Sequence, residues 1–150
     1  MTVAALVVVE ARRWIGTPYV HQAARRGAGT DCLGLLRGVW TAIMGPEPEG
    51  VPAYSQDWAE PSHSEVLFDA ANRWLLPKAV THAAPGDVIL FRMRDGCIAK
   101  HLGIQADVGA NASFIHAYSG HCVLESPLSA PWVRRIAARF AFPIDHPQGA

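Results

Sequence analysis

The spacing of apolar residues changes once along this chain, at Pro85-Gly86, and that change constrains the fold more than any other feature. Ahead of it, apolar residues recur at the three-to-four-residue spacing of amphipathic helices; after it, they come in short alternating runs between turn residues, the pattern of strands. Residues 3–15 place Val3, Leu6, Val7 and Trp14 on one stripe, with Glu10, Arg12 and Arg13 opposite, until Gly16-Thr17-Pro18-Tyr19 breaks the helix. A Gly-rich loop, Gly27-Ala28-Gly29, follows. Asp31 caps the clearest helix, where Leu35, Leu36, Val39, Trp40 and Ile43 repeat until Gly45-Pro46. Gly34 and Gly38 in its interior are expected to permit close backbone approach on one face. After a Pro-rich loop over 45–61, Ser62-His63-Ser64-Glu65 has the form of a capping box for a third helix that Pro77 ends. Runs over 87–93, 100–106, 112–118, 122–125 and 136–142 then read as strands. Helices first and strands afterwards predict an α+β fold, with N-terminal helices packed on a C-terminal antiparallel sheet of about five or six strands.

A chain of 150 residues with 50% hydrophobic composition can bury a core without disulfides or metals, so residues 1–150 are expected to form one domain with a loose tail from about residue 144. Thirteen Lys and Arg balance thirteen Asp and Glu, which leaves no basic footprint for a nucleic-acid partner. The apolar stretch Val3–Val9 has no basic leader and no small-residue cleavage site, and no segment is long enough to span a bilayer. The expectation is a protein made in the cytoplasm without a signal peptide and without a membrane partner. Three cysteines at unrelated spacings argue against a disulfide framework and leave at least one thiol free.

Cys32 follows the cap Asp31 directly, in the first turn of a helix. There the unpaired N–H groups and the helix dipole favour a thiolate, so the thiol is expected to titrate below its free value of about 8.5. His101, in Lys100–Ile104, and His116, in Phe114–Tyr118, lie on successive strands. A hairpin turning near Val108-Gly109 sets the two histidines directly opposite; a register centred one residue later keeps them on one face as diagonal neighbours. Nucleophile, base and orienting group are then Cys32, His101 and His116. His63, His82, His121 and His146 read as satisfied core or edge residues. A metal site is the rival, because Cys97 lies four residues from His101 and His116, His121 and Cys122 are near in sequence. Structural zinc sites show paired ligands such as Cys-x-x-Cys, which this chain lacks, so no metal and no cofactor is expected. Cys97 and Cys122 read as inert strand residues that could pair if their strands are adjacent.

In order and spacing, Gly16-Thr17-Pro18-Tyr19, Asp31-Cys32-Leu33-Gly34-Leu35, Pro85-Gly86-Asp87-Val88, His101-Leu102-Gly103-Ile104 and Ile115-His116-Ala117 resemble the successive motifs of the NlpC-type cell-wall peptidases. That resemblance implies a compact papain-like fold and a cysteine peptidase acting on peptidoglycan stem peptides, commonly between D-glutamate and the following diamino acid. It implies Cys32 as nucleophile, His101 as general base and His116 as the orienting residue. Tyr19 matches a tyrosine whose hydroxyl, with the Cys32 N–H, could form an oxyanion hole, or it is a turn aromatic packed on Pro18. Asp31, His21, Tyr54 and Trp58 are expected to contact substrate, although Tyr54 and Trp58 fit packing against the third helix equally well. Leu33 stands where the family usually has Ser, and Val20-His21-Gln22 where an aromatic and glycines are usual. Those departures, the stretch Asp31–Trp40, Phe91-Arg92-Met93-Arg94 and Arg134-Arg135-Ile136 resemble the phage-tail and gene-transfer-agent branch. In that branch the enzyme rides on a tail tip or baseplate hub and opens the wall for DNA passage into the target cell. A catalytically silent tail-hub protein and another thiol acyltransferase or amidase on the same fold are the alternatives.

Overall fold

The computed structural model of the chain describes residues 1–48, 66–93 and 99–143. The proposed capping box at 62–65, Tyr54, Trp58, His63, Cys97, His146 and the tail expected from about 144 lie outside the described residues. Helix α1 spans Val3–Arg13, with the Thr2 hydroxyl accepting the Ala5 N–H at 3.0 Å and Arg12 and Arg13 at its C-terminal end. Its buried face is Val7, Val8, Glu10 and Ala11. The apolar stripe is thus rotated from the one expected: Leu6 is exposed, while Glu10 is buried, accepting the Trp14 indole N–H at 3.2 Å and pairing with Arg13 at 3.3 Å. Trp14 turns under the helix end and takes the carboxylate with it.

The Gly-rich loop contains a short hairpin, β1 (Ala24–Arg25) paired antiparallel with β2 (Gly29–Thr30). It leads into α2 (Cys32–Met44), whose buried face includes Cys32, Leu33, Leu35, Leu36, Val39 and Trp40. The two helix glycines serve the close contacts expected of them, though on different partners. A Cβ at Gly34 would stand 1.9 Å from the Ala23 carbonyl oxygen, whereas one at Gly38 would strike the Trp14 ring at 2.0 Å. Helix α3 spans Val66–Trp74, and Trp40 packs on Trp74 and Phe142 with ring centroids 5.4 and 5.8 Å apart.

The second half forms one antiparallel sheet of six strands: β3 (Leu76–Lys78), β4 (Val88–Arg92), β5 (Ala99–Gln105), β6 (Ser113–His116), β7 (Leu124–Pro127) and β8 (Ile136–Ala141). Their order across the sheet is β3-β8-β4-β5-β6-β7. β3 begins where the third helix was expected to end, and its Pro77 is tolerated because β3 is an edge strand. The strand expected over 122–125 lies at 124–127 instead, which leaves Cys122 exposed in the preceding turn rather than in a strand. A short helix α4 (Ala130–Val133) links β7 to β8.

The sheet has two dry faces. Val88, Leu90, Leu102, Ile104, Ile115 and Phe140 join the helices in the main core. Ile89, Phe91 and Phe114 face the other way and are covered by Trp132, Leu128, Met93 and Ile136. The central strands are laced by a buried polar group. Asp87 accepts hydrogen bonds from the Ala84 N–H at 2.9 Å and from Arg139 at 3.0 Å, and Lys78 lies 3.0 Å from its other oxygen. Arg139 also donates to Gln105 at 2.9 Å and to the Val80 carbonyl at 3.0 Å. This explains the Pro85-Gly86-Asp87 motif: Gly86 has φ +86° and its Cα face lies against Ala4 of α1, and Asp87 starts the strand on its clamp.

Because Asp87, Gln105 and Arg139 are all nearly inaccessible, removing the cation leaves polar atoms buried without it. Arg139→Met is expected to lower folding stability by about 3–5 kcal/mol, read as the shift of a urea-unfolding midpoint.

Candidate active site

The segment between α1 and α2 is built to deliver Tyr19 and Cys32 to one place. Gly16 has φ +94°, and its N–H donates to the Val123 carbonyl at 2.8 Å while the Val123 N–H donates to the Thr17 carbonyl at 2.9 Å. The Thr17 hydroxyl accepts the Gly27 N–H at 2.9 Å. Tyr19 then runs parallel to Thr30, with the Val20 N–H on the Thr30 carbonyl at 3.0 Å and the Thr30 N–H on the Pro18 carbonyl at 2.9 Å. Asp31 closes the junction: one oxygen accepts the Gly34 N–H at 2.8 Å as the cap of α2, and the other accepts the Gln22 N–H at 2.7 Å.

Cys32 is only 5% exposed and its sulfur lies against β5. The β5 backbone alternates in direction: the Gln105 N–H donates to Asp87 next to β4, and the Ala106 N–H donates to Ser113 next to β6, so the Leu102 N–H points toward β6. Between β5 and β6, however, the register pairs only Ile104 with Ile115 and Gln105 with Phe114. One step further the strands part, and the Leu102 N–H is directed at the Cys32 sulfur. A sulfur from the helix side of the sheet thus stands beside the peptide that carries His101.

The register is the later of the two considered, so His116 falls opposite Gly103 and diagonal to His101. The two imidazoles nevertheless touch, His101 Nε2 to His116 Nδ1 at 2.8 Å. Gly103 makes this possible, since a Cβ there would lie 2.7 Å from the Phe114 ring and 3.3 Å from the His116 Cβ. His116 Nε2 lies 2.9 Å from the Ser126 hydroxyl on β7. Around the pair stands an aromatic wall: Trp132 is 5.8 Å from His101 and 5.3 Å from His116, and Phe91 and Tyr118 close the sides of His101 at 5.7 and 5.5 Å.

This dry setting reverses one expectation. Burial, and after it the neighbouring Asp31 carboxylate, push the Cys32 thiol up to about 12, although N–H groups of Leu102, Leu33 and Cys32 itself pull the other way. The helix terminus acts as foreseen but is outweighed. Burial also lowers His101 to about 3, with His116 adding to the effect, and lowers His116 to about 4, with His121 adding to it. The resting centre therefore holds a thiol and two neutral imidazoles. Tyr19, half-buried, is raised to about 12 by desolvation, then by Cys32 and Asp31, and so keeps its phenolic proton.

Of the other residues expected to meet substrate, Asp31 is buried with its oxygens on backbone N–H groups, and His21 Nδ1 lies 3.8 Å from it. Tyr54 and Trp58 lie outside the described residues. His82 and His121 are exposed, and His121 stacks on Tyr118 at 5.5 Å. Among the described residues no group of three or more His, Cys, Asp and Glu is placed to hold a metal ion, and Cys97 lies outside them. Sequence reasoning missed Ser126 and Trp132. Ser126 lies in the strand that was misplaced by two residues, and Trp132 sits in a four-residue helix too short to show a period.

This is an α+β, papain-like architecture, with a cysteine at a helix N-terminus set against a sheet that carries paired histidines. No family model matches the chain, and no curated protein matches it in sequence. Solved structures do share its fold. The NlpC/p60 domain of the peptidoglycan hydrolase SagA aligns over 93% of this chain and 98% of that one, at 23% identity and TM-score 0.60. An NlpC/p60 family protein from Bacillus cereus aligns over 93% and 40%, at 20% identity and TM-score 0.64. A lipoprotein-like NLP/P60 family protein from Staphylococcus aureus aligns over 97% and 42%, at 21% identity and TM-score 0.60. The chain thus spans nearly all of the first and less than half of the other two, and its fold is that of the NlpC/p60 domains.

The lowered imidazoles set a pH dependence. An unfolded histidine takes a proton as pH falls through about 6.5, whereas the folded ones stay neutral down to about 4 and 3, so the unfolded state binds more protons in between. The stability they allow is fully present above pH 6.5 and is lost toward pH 3. Denaturant titrations across that range are expected to show a loss on the order of a few kcal/mol, with a shallower loss in His116→Gln.

Proposed function

We propose that this chain is a cysteine peptidase that hydrolyses amide bonds in the stem peptides of peptidoglycan. The observation that carries the reading is the position of the Cys32 sulfur on the N–H of Leu102, the residue that follows His101, whose imidazole is held through Nε2 by His116 at 2.8 Å. The His101–His116 bond uses Nε2 and leaves Nδ1 for the thiol. His101 takes the thiol proton at Nδ1 as the sulfur attacks the amide carbonyl. The carbonyl oxygen gathers negative charge, and the Tyr19 hydroxyl and the Cys32 N–H donate to it. His101 then protonates the leaving amine. Water deprotonated by the same nitrogen hydrolyses the thioester and restores the thiol. His116 holds the plane of the base throughout.

The choice of peptidoglycan rests on the motif resemblance and on the fold shared with NlpC/p60 domains, one of them from a peptidoglycan hydrolase. The bond between D-glutamate and the diamino acid is the finer reading that the resemblance supports. The stretch Asp31–Trp40 and Arg134-Arg135-Ile136 support placing the enzyme in a phage-like tail, docked to tail-tip or baseplate hub proteins and acting in the wall of the target cell.

Incubating purified muropeptides with the protein and weighing the products tests this. The wild type is expected to release peptides cut after D-glutamate. Cys32→Ala should lower turnover by roughly a thousandfold or more with an unchanged circular dichroism spectrum. Cleavage that survives in Cys32→Ala, or release of the whole stem from its sugar, would overturn the assignment.

A further inference from the structure

The hydrogen-bond chain that begins at His101 does not end at His116. It continues to Ser126 Oγ, 2.9 Å from His116 Nε2, on the edge strand β7. Two neutral imidazoles joined at 2.8 Å share one N–H between them, and its direction decides what each can do. If His101 carries the proton on Nε2, then His116 Nδ1 accepts, His116 Nε2 is protonated, and Ser126 must accept from it. In the opposite direction His116 Nδ1 donates, His101 is protonated on Nδ1, and that atom can no longer receive a proton from Cys32.

We propose that Ser126 is a positioning residue of this centre, whose hydroxyl oxygen accepts the His116 Nε2 proton and so sets both imidazoles in the tautomer that leaves His101 Nδ1 bare. His116 is 2% exposed and walled by Phe114 at 4.2 Å and Trp132 at 5.3 Å, so a donor at its Nε2 that lost the Ser126 oxygen to an apolar side chain filling the same space would be left without an acceptor. The lower-energy response is to move the proton to Nδ1, which reverses the chain. Ser126 can act in this way because β7 pairs Ser126 with Phe114 and Leu124 with His116, which puts the hydroxyl diagonal to the imidazole on one face. Ser126 also lines a shallow recess of about 510 Å³, so small replacements there would admit water and a filled side chain is needed for a clean test.

The effect on turnover rests on the peptidase reading above, whereas the tautomer does not. Thr and Val have nearly the same shape and differ in the accepting oxygen. Ser126→Thr is expected to keep kcat within about threefold of the wild type, and Ser126→Val to lower it roughly ten- to a hundredfold with KM little changed. Nitrogen NMR of the imidazoles should find His116 protonated on Nε2 in the wild type and in Ser126→Thr, and on Nδ1 in Ser126→Val. Equal kcat in the Thr and Val variants, or a wild-type His116 protonated on Nδ1, would overturn the proposal. Should the wild type cleave no muropeptide, the peptidase reading falls, and the nitrogen spectra still decide the role of Ser126.

Discussion

A sheet that unzips leaves main-chain donors behind, and in this molecule one of those donors organises the rest. β5 and β6 part after Ile104 and Ile115, and the Leu102 N–H that would have continued their ladder is buried. An unmet N–H in such a place costs about 1–3 kcal/mol. The tip of α2 fills the gap with sulfur, which accepts that N–H. Asp31 and Gly34 hold the approach: the carboxylate ties the helix start to Gln22, and the missing side chain at Gly34 lets the Ala23 carbonyl come close. Folding and site geometry are therefore one problem in this region.

The histidines are held from the other face of the same sheet. Their shelter is aromatic, and the strand that carries His101 is braced at its far end by Gln105 on Arg139. Between those ends β5 is buried over most of its length. The Asp87–Arg139 clamp, remote from the sulfur in sequence, therefore fastens the other end of the strand that carries His101.

Much of this was readable in the amino-acid order, and what was not has physical causes. The change of period at Pro85-Gly86 foretold helices followed by an antiparallel sheet, and Asp31 before Cys32 foretold a capped helix start. Gly103 beside His101 carried information too, though its meaning required knowing which residue stands opposite. Register was ambiguous because both candidate pairings put the histidines on one face, and only the turn at Gly109–Asn111 decides between them. The rotation of α1 has a local cause that periodicity does not count: Trp14, four residues after Glu10, donates its indole N–H to that carboxylate and draws it inward. The ionisation of Cys32 has a tertiary cause: a helix N-terminus is visible in sequence, whereas the desolvation that outweighs it depends on packing by residues far along the chain. Ser126, a small polar residue on a short edge strand, had no signal at all.

Keeping Cys32 as a thiol near 12 has a consequence outside any reaction cycle. Thiolates, not thiols, attack disulfides and are readily oxidised, and at neutral pH this sulfur offers almost none of that form. Meanwhile Cys122, on the surface, meets oxidants and disulfides first. The same burial that sets the sulfur against the sheet thus keeps it in its less oxidisable form at neutral pH.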